Sequence, residues 1–346
     1  MPNDDRQDER TNPRGVPLTD SQRGADERAG SLWRRSRRLT VLLSLSAFAA
    51  CVFYVVTRFQ WRAALEVLAG VDYLELVGAV CILHFGYILL RTWRWKMVLN
   101  RANPGLRFVE LYWITAIIVS LGNITPGQFG EAVKIEVLKR RGLVGRLPGL
   151  GAFVIERLMD LTIVAAMGAG GLLLGDGVRA RFPALIDAIG ILIACVIGAL
   201  VLLFRFDPGG RVSHWLAQVR AGSGTPLVWA RMFALSLASW ALVGAGWQVS
   251  LAAVGIHISL VEILWFISLV TLGTLLSLVP GGIGVTEVLA FGSLSTMGVG
   301  DVAAQAGAMM LRIYGLIIIA FGLAHWALWL LYARAAAARP AEASTE

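Results

Sequence analysis

Pro126-Gly127-Gln128-Phe129-Gly130, followed directly by Glu131, and Pro280-Gly281-Gly282-Ile283-Gly284, followed three residues later by Glu287, are two copies of one break in otherwise apolar sequence. Each break ends an apolar run that opens alike, Val109-Glu110-Leu111 with Trp113 and Val261-Glu262-Ile263 with Trp265. Each is followed at nearly the same distance by an arginine inside the next apolar run: Arg157 lies 31 residues after Pro126, Arg312 32 after Pro280. Proline removes a backbone donor, and glycine allows conformations closed to other residues. Such a motif therefore ends one half-helix and begins another. Paired interruptions in corresponding hydrophobic segments are the sequence mark of a repeat-built transporter and point to its binding site.

The surrounding composition fixes the class. The 346 residues are 57% hydrophobic and only 16% charged, and the mean hydropathy is +0.68. A soluble domain of this size carries more charge. Apolar runs fall near 39–57, 74–90, 109–124, 149–174, 184–204, 232–254, 258–279 and 304–333, and about 20 apolar residues cross a bilayer as a helix. The expectation is an all-α polytopic membrane protein. Residues 1–31 read as a disordered polar cytoplasmic tail, 32–333 as the transmembrane domain, and 334–346 as a short cytoplasmic tail. Between the first two runs, Trp61, Leu65 and Leu68 share a helical face, as in a short interfacial helix; a plain connecting loop is the alternative.

The net charge of +8 reflects orientation and not nucleic-acid binding. Lys and Arg gather in alternate loops: 34–38, 91–107, 134–146, 205–231 and the C-terminal end hold twenty, the intervening loops four. This places the first set, and both termini, in the cytoplasm of a cell inner (plasma) membrane. Both flanks of run 109–124 then lie on one side, so that run enters and returns. Run 258–279 does the same from the opposite face. The layout is about six spanning helices plus two re-entrant helical hairpins in an inverted repeat, one half about 39–174 and the other about 184–333. Such symmetry puts a site near the bilayer midplane.

The hairpin tips are the first candidates for that site. A new half-helix N-terminus offers free N–H groups and a dipole suited to an anion. Asn123, Thr125, Pro126, Gly127, Gln128 and Gly130 build the first tip; Pro280, Gly281, Gly282, Gly284 and Thr286 build the second. Arg157 and Arg312 lie about nine residues into spanning helices, where an unpaired charge costs about 2.5–3.5 kcal/mol or more. They read either as phosphate ligands or as internal salt bridges to Glu131, Glu287, Glu156 or Asp160, the last lying three residues after Arg157 and four after Glu156, within reach on a helical face. Glu131 and Glu287 are also candidate carriers of a coupling proton. Glu110 and Glu262 read as capping or solvated residues where the hairpins begin.

No metal site or cofactor is expected. Cys51, Cys81 and Cys195 lie singly in apolar runs, and His84, His214, His257 and His325 show no metal-ligand spacing; the histidines read as packing or interface residues. No nucleophile, phosphate-loop or zinc-protease motif occurs, so an enzyme is not expected.

Thr125 to Glu131, Val154-Ile155-Glu156-Arg157-Leu158-Met159-Asp160, Val279 to Glu287 and Arg312, in that order, resemble the flippase-like membrane family related to the transmembrane region of lysylphosphatidylglycerol synthases. The likeness covers about 39–333. It departs at Gln128, where the family often has an arginine. The resemblance implies movement of a lipid headgroup across the membrane, with an aminoacylated phospholipid or a polyprenyl-phosphate-linked lipid as the partner; a membrane-embedded enzyme acting on a lipid phosphate and a small-solute transporter are the alternatives. Synthase members add a soluble aminoacyl-transferase domain; with its end at Glu346, the chain is expected to lack that activity.

Overall fold

The computed structural model describes residues 44–46, 48–100, 102–174 and 226–337. The expected span at 184–204, the N-terminal tail, His214 and Cys195 lie outside these residues. All regular structure within them is helical. The helices are α1 (Ser44–Arg58), α2 (Trp61–Ala69), α3 (Tyr73–Leu99), α4 (Phe108–Gly122), α5 (Val133–Arg140), α6 (Arg146–Leu174), α7 (Pro226–Ala252), α8 (Leu260–Ser277), α9 (Val285–Thr296) and α10 (Asp301–Ala337). Short 3₁₀ segments, Pro126–Ala132 and Pro280–Gly282, join α4 to α5 and α8 to α9; they are tip one and tip two.

Local chemistry sets the helix starts. Asp72 caps α3, its carboxylate accepting from the Leu74 and Glu75 N–H groups at 3.0 and 3.1 Å. Ser259 and Glu262 form a reciprocal capping box at the start of α8, which gives Glu262 the capping role read from its position. Glu110 instead meets Arg141 at 3.7 Å.

Four of these helices are long and apolar enough to cross a membrane: Tyr73–Leu99, Leu227–Ala252, Leu260–Ser277 and Asp301–Tyr332. Ser44–Arg58 and Phe108–Gly122 are apolar but shorter. Helix α6 has the length, 29 residues, but carries Glu156, Arg157 and Asp160 midway. One sequence boundary needs correction. The run expected to end at 90 continues as helix to Leu99, because Arg91 and Arg94 are 2% and 1% exposed and belong to the interior, not to a loop. The apolar part of α10 ends at Tyr332, and the helix itself runs on to Ala337.

Helix α2 forms where the amphipathic stretch was read, but it turns Ala64 and Leu68 inward while Trp61 and Leu65 stay exposed. It packs on α10. The larger core gathers Phe266, Ile267, Val270, Leu294, Met310 and Leu311; a second gathers Trp95, Leu99, Leu111, Leu138 and Ala152.

The packing partners cross between the two halves. Helix α6 lies on α8, and α10 lies on α4. Both crossings are close because a glycine sits at each. A Cβ on Gly171 would come within 2.9 Å of the Trp265 nitrogen, and one on Gly322 within 2.6 Å of the Ser120 Cβ. Without a hydrophobic drive between membrane helices, such close backbone approach is a main source of association. The crossings bring the two tips into contact: a Cβ on Gly281 would lie 3.7 Å from the Asn123 carbonyl oxygen and 3.9 Å from that of Ile124.

Candidate functional site: two gripped tips and a buried ion cluster

Tip one is tied together by short-range hydrogen bonds. The Thr125 hydroxyl donates to the Gly122 carbonyl at 2.7 Å and accepts from the Gly130 N–H at 2.8 Å. A Cβ on Gly130 would fall 2.7 Å from Thr125 Cγ2, so only glycine closes the turn. Asn123 donates weakly to the Val119 and Ser120 carbonyls and accepts from Gln128 at 3.4 Å. Pro126 opens the 3₁₀ segment, with Gly127 behind it. Gln128 takes a left-handed conformation, φ 57°.

Tip two reaches the same form by other residues. Gly282, the third residue of its Pro-Gly motif as Gln128 is of the first, is also left-handed at φ 60°, and Gly281 at φ 61°. Leu278 ends α8 with φ 53°. Gln128 and Leu278 are the only non-glycine residues with positive φ among the described residues, one at each tip. Such conformations cost of order 1–3 kcal/mol and gather at functional sites. Pro280 is exposed. The Thr286 hydroxyl meets that of Thr274 at 3.2 Å.

Each tip is gripped by the arginine of the following long helix. Arg312 binds Glu287 through Nε at 2.6 Å and donates to the Gly281 and Gly282 carbonyls at 2.8 and 3.2 Å. Glu287 also caps α9, accepting from the Gly284 N–H at 2.8 Å. Arg157 binds Glu131 at 2.5 Å and Gln128 at 3.3 Å. In this conformation the salt-bridge alternative holds for both arginines, and the α9 N-terminus is already filled by a carboxylate of its own helix. Their side chains remain 24% and 29% exposed, so both are reachable.

The first grip opens onto a larger cluster that sequence reasoning missed. Arg91 and Arg94 of α3 are fully buried. Arg91 meets Glu131 at 2.9 Å and Glu156 at 2.7 Å. Arg94 meets Glu156 and Asp160, each at 2.8 Å. Asp160 therefore takes its partner from α3, not from Arg157. Lys134 of α5 is wholly buried, 3.4 Å from Glu156 and 4.1 Å above the Trp95 ring, and the Trp95 indole donates to Glu156. The loop count from sequence includes Arg91, Arg94 and Lys134; without them it is seventeen against four, and the asymmetry stands. A usable signal existed. His84, Tyr87, Arg91, Arg94 and Trp95 recur at three- and four-residue spacing, one polar stripe on a helix whose apolar pattern continues past 90.

Two of the described histidines pack: His84 meets Ser120 at 3.0 Å, and His325 meets the Tyr112 hydroxyl and the Phe321 carbonyl at 2.9 Å each, whereas His257 is exposed. Cys51 and Cys81 are free thiols.

The chain is 25% identical over 310 residues to the protein named Glycosyltransferase AglD of Haloferax volcanii, covering 74% of this chain and 48% of that one. It thus spans about half the length of that relative. It is 23% identical over 299 residues to a UPF0104 membrane protein of Methanothermobacter thermautotrophicus, covering 77% of this chain and 87% of the relative. The UPF0104 membrane protein PH1989 of Pyrococcus horikoshii is 24% identical over 262 residues, 65% of this chain and 78% of that one. The family described as the lysylphosphatidylglycerol synthase TM region matches residues 41–322, a stretch that holds both tips, both arginines and the buried cluster; the chain belongs to that family of membrane proteins.

Proposed function

We propose that this protein is a transporter that moves a lipid with an anionic phosphate headgroup between leaflets by alternating access. One observation carries the reading: two broken-helix tips, each gripped by an arginine from the next long helix, touch each other. In this reading α4 with α5, and α8 with α9, are re-entrant hairpins entering from opposite faces, in an inverted repeat of about six spanning helices with both termini in the cytoplasm of the inner (plasma) membrane. The headgroup, of a phospholipid or a polyprenyl-phosphate-linked lipid, enters between the halves while its tails stay in the bilayer. It competes with Glu131 and Glu287 for the two guanidinium groups, a contest that a phosphate can enter because the arginine fork suits it equally well. Rocking of one half against the other then exposes the site to the other side.

The test is leaflet redistribution of fluorescent phosphatidylglycerol in proteoliposomes. The protein should accelerate it, and Arg157→Ala or Arg312→Ala should slow it at least about tenfold, equivalent to ~1.4 kcal/mol of barrier. Unchanged rates in both variants would end the assignment of these arginines. The similarity to a protein named as a glycosyltransferase favours a second reading, an enzyme acting on a lipid phosphate. Chemical turnover of the added lipid, followed by mass spectrometry in the same vesicles, would establish it in place of transport.

A further inference from the structure

Among the described residues, the buried cluster does not balance. Arg91, Arg94, Lys134 and Arg157 bring four positive charges; Glu131, Glu156 and Asp160 bring three negative ones, all joined by contacts of 3.7 Å or less. An uncompensated charge inside a protein costs several kcal/mol. Arginine keeps its proton under all ordinary conditions, whereas a buried lysine is able to release one. Lys134 is the only one of the four cations through which the cluster can shed its excess charge.

A second observation is independent of that count. The cluster still has unused donors. Arg94 Nε, in a residue 1% exposed, has no acceptor among the described residues, nor has Arg157 Nε. Buried donors are almost always paired, and one left alone calls for an explanation. A phosphodiester brings one negative charge and several acceptor oxygens, which meets both deficits.

We propose that the cluster binds a singly charged phosphodiester together with one proton, and that Lys134 carries that proton. The inference rests on the lipid-transport reading and specifies its substrate class and its coupling. In the empty site Lys134 is neutral and the charges balance. When the anion enters, Lys134 takes a proton from the aqueous phase, and the charges balance again. Water reaches the cluster at the exposed edge, through Arg157 and Asp160, which are 24% and 14% exposed. The groups that face Lys134 come from every element around it: Arg91 from α3, Glu131 from tip one, Glu156 and Arg157 from α6. Helix α4 contributes none, its Glu110 being held by Arg141. By linkage the dependence is reciprocal: the anion strengthens proton binding, and the proton strengthens anion binding by the same factor.

The experiment is titration calorimetry of the purified full-length protein with dioctanoyl phosphatidylglycerol, in two buffers of different ionisation enthalpy, from about pH 7 to about pH 10. Dimethyl phosphate, the same anion without acyl chains, is the second ligand. The wild type should take up as much as about one proton per ligand bound, with affinity falling as pH rises. Uptake with both ligands makes the phosphodiester group sufficient; uptake with the lipid alone makes the chains necessary; either supports the proposal. Lys134→Arg, permanently charged, should bind with no proton uptake. Lys134→Met, permanently neutral, should bind at least about tenfold more weakly and without pH dependence. Binding by the wild type with no uptake at any pH overturns the Lys134 assignment and leaves the lipid reading intact. Failure of the wild type to bind phosphatidylglycerol removes both.

Discussion

Replacing Glu156 with glutamine tests whether the buried cluster is as tightly interdependent as its geometry implies. Glu156 is 2% exposed and is the hub of the cluster. One carboxylate oxygen accepts from Arg91 Nε at 2.9 Å and Arg94 Nη2 at 2.8 Å; the other accepts from Trp95 Nε1 at 2.5 Å and Lys134 Nζ at 3.4 Å. Glutamine keeps the shape but removes the charge and turns one acceptor into a donor, leaving the same cations to face two carboxylates. Removing one member of a buried ion pair costs about 3–5 kcal/mol, against a whole-domain stability of about 5–15 kcal/mol. Thermal unfolding in detergent, followed by intrinsic fluorescence, should show a drop of many degrees. Glu136→Gln is the matched control. That carboxylate bridges Arg140 and Arg146 at 3.0 and 2.8 Å but lies on the surface, where such pairs are worth about 0–1 kcal/mol. A Glu156→Gln protein as stable as the Glu136→Gln control would refute the reasoning.

Three further outcomes follow from the tips. Gly284→Ala should destabilise by about 1–3 kcal/mol, because its φ is 82° and a Cβ there meets Cys51 Cβ at 2.8 Å; Gly142→Ala, with φ 68° but open space around it, should lose only the backbone term of about 1–2 kcal/mol, and unfolding midpoints separate the two. Arg312→Lys keeps the charge but cannot hold Glu287 and two carbonyls in one fork, so lipid redistribution should slow while the protein still folds. Gly130→Ala, which drives a methyl into Thr125, should impair redistribution more than Thr125→Ser, which keeps the hydroxyl.

What the sequence made legible was what proline, glycine and isolated charges mark locally. The two Pro-Gly breaks, the arginine spaced behind each, the capping role of Glu262 and the helix at 61–69 all depend on short-range chemistry, and the pairing of Arg312 with Glu287 and Arg157 with Glu131 was among the alternatives it offered. Arg91, Arg94 and Lys134 were misplaced for a physical reason. A charge at the end of an apolar run looks like a loop unless its partners are known, and those partners, Glu131, Glu156 and Asp160, come from 22 to 66 residues away. The crossing of α6 on α8 and α4 on α10 is likewise tertiary: Gly171 and Gly322 look like ordinary membrane-helix glycines until the backbone opposite each is placed.

Disulfide trapping across the tips tests the central claim most directly. In a protein with Cys51, Cys81 and Cys195 replaced by serine, Asn123→Cys and Gly281→Cys should join in the membrane under mild oxidation, since the backbone at 281 faces the carbonyl of 123. The bridge should stop lipid redistribution, and reductant should restore it. Two cysteines that never join, both labelled freely by a water-soluble thiol reagent from one side of the membrane, would contradict the account.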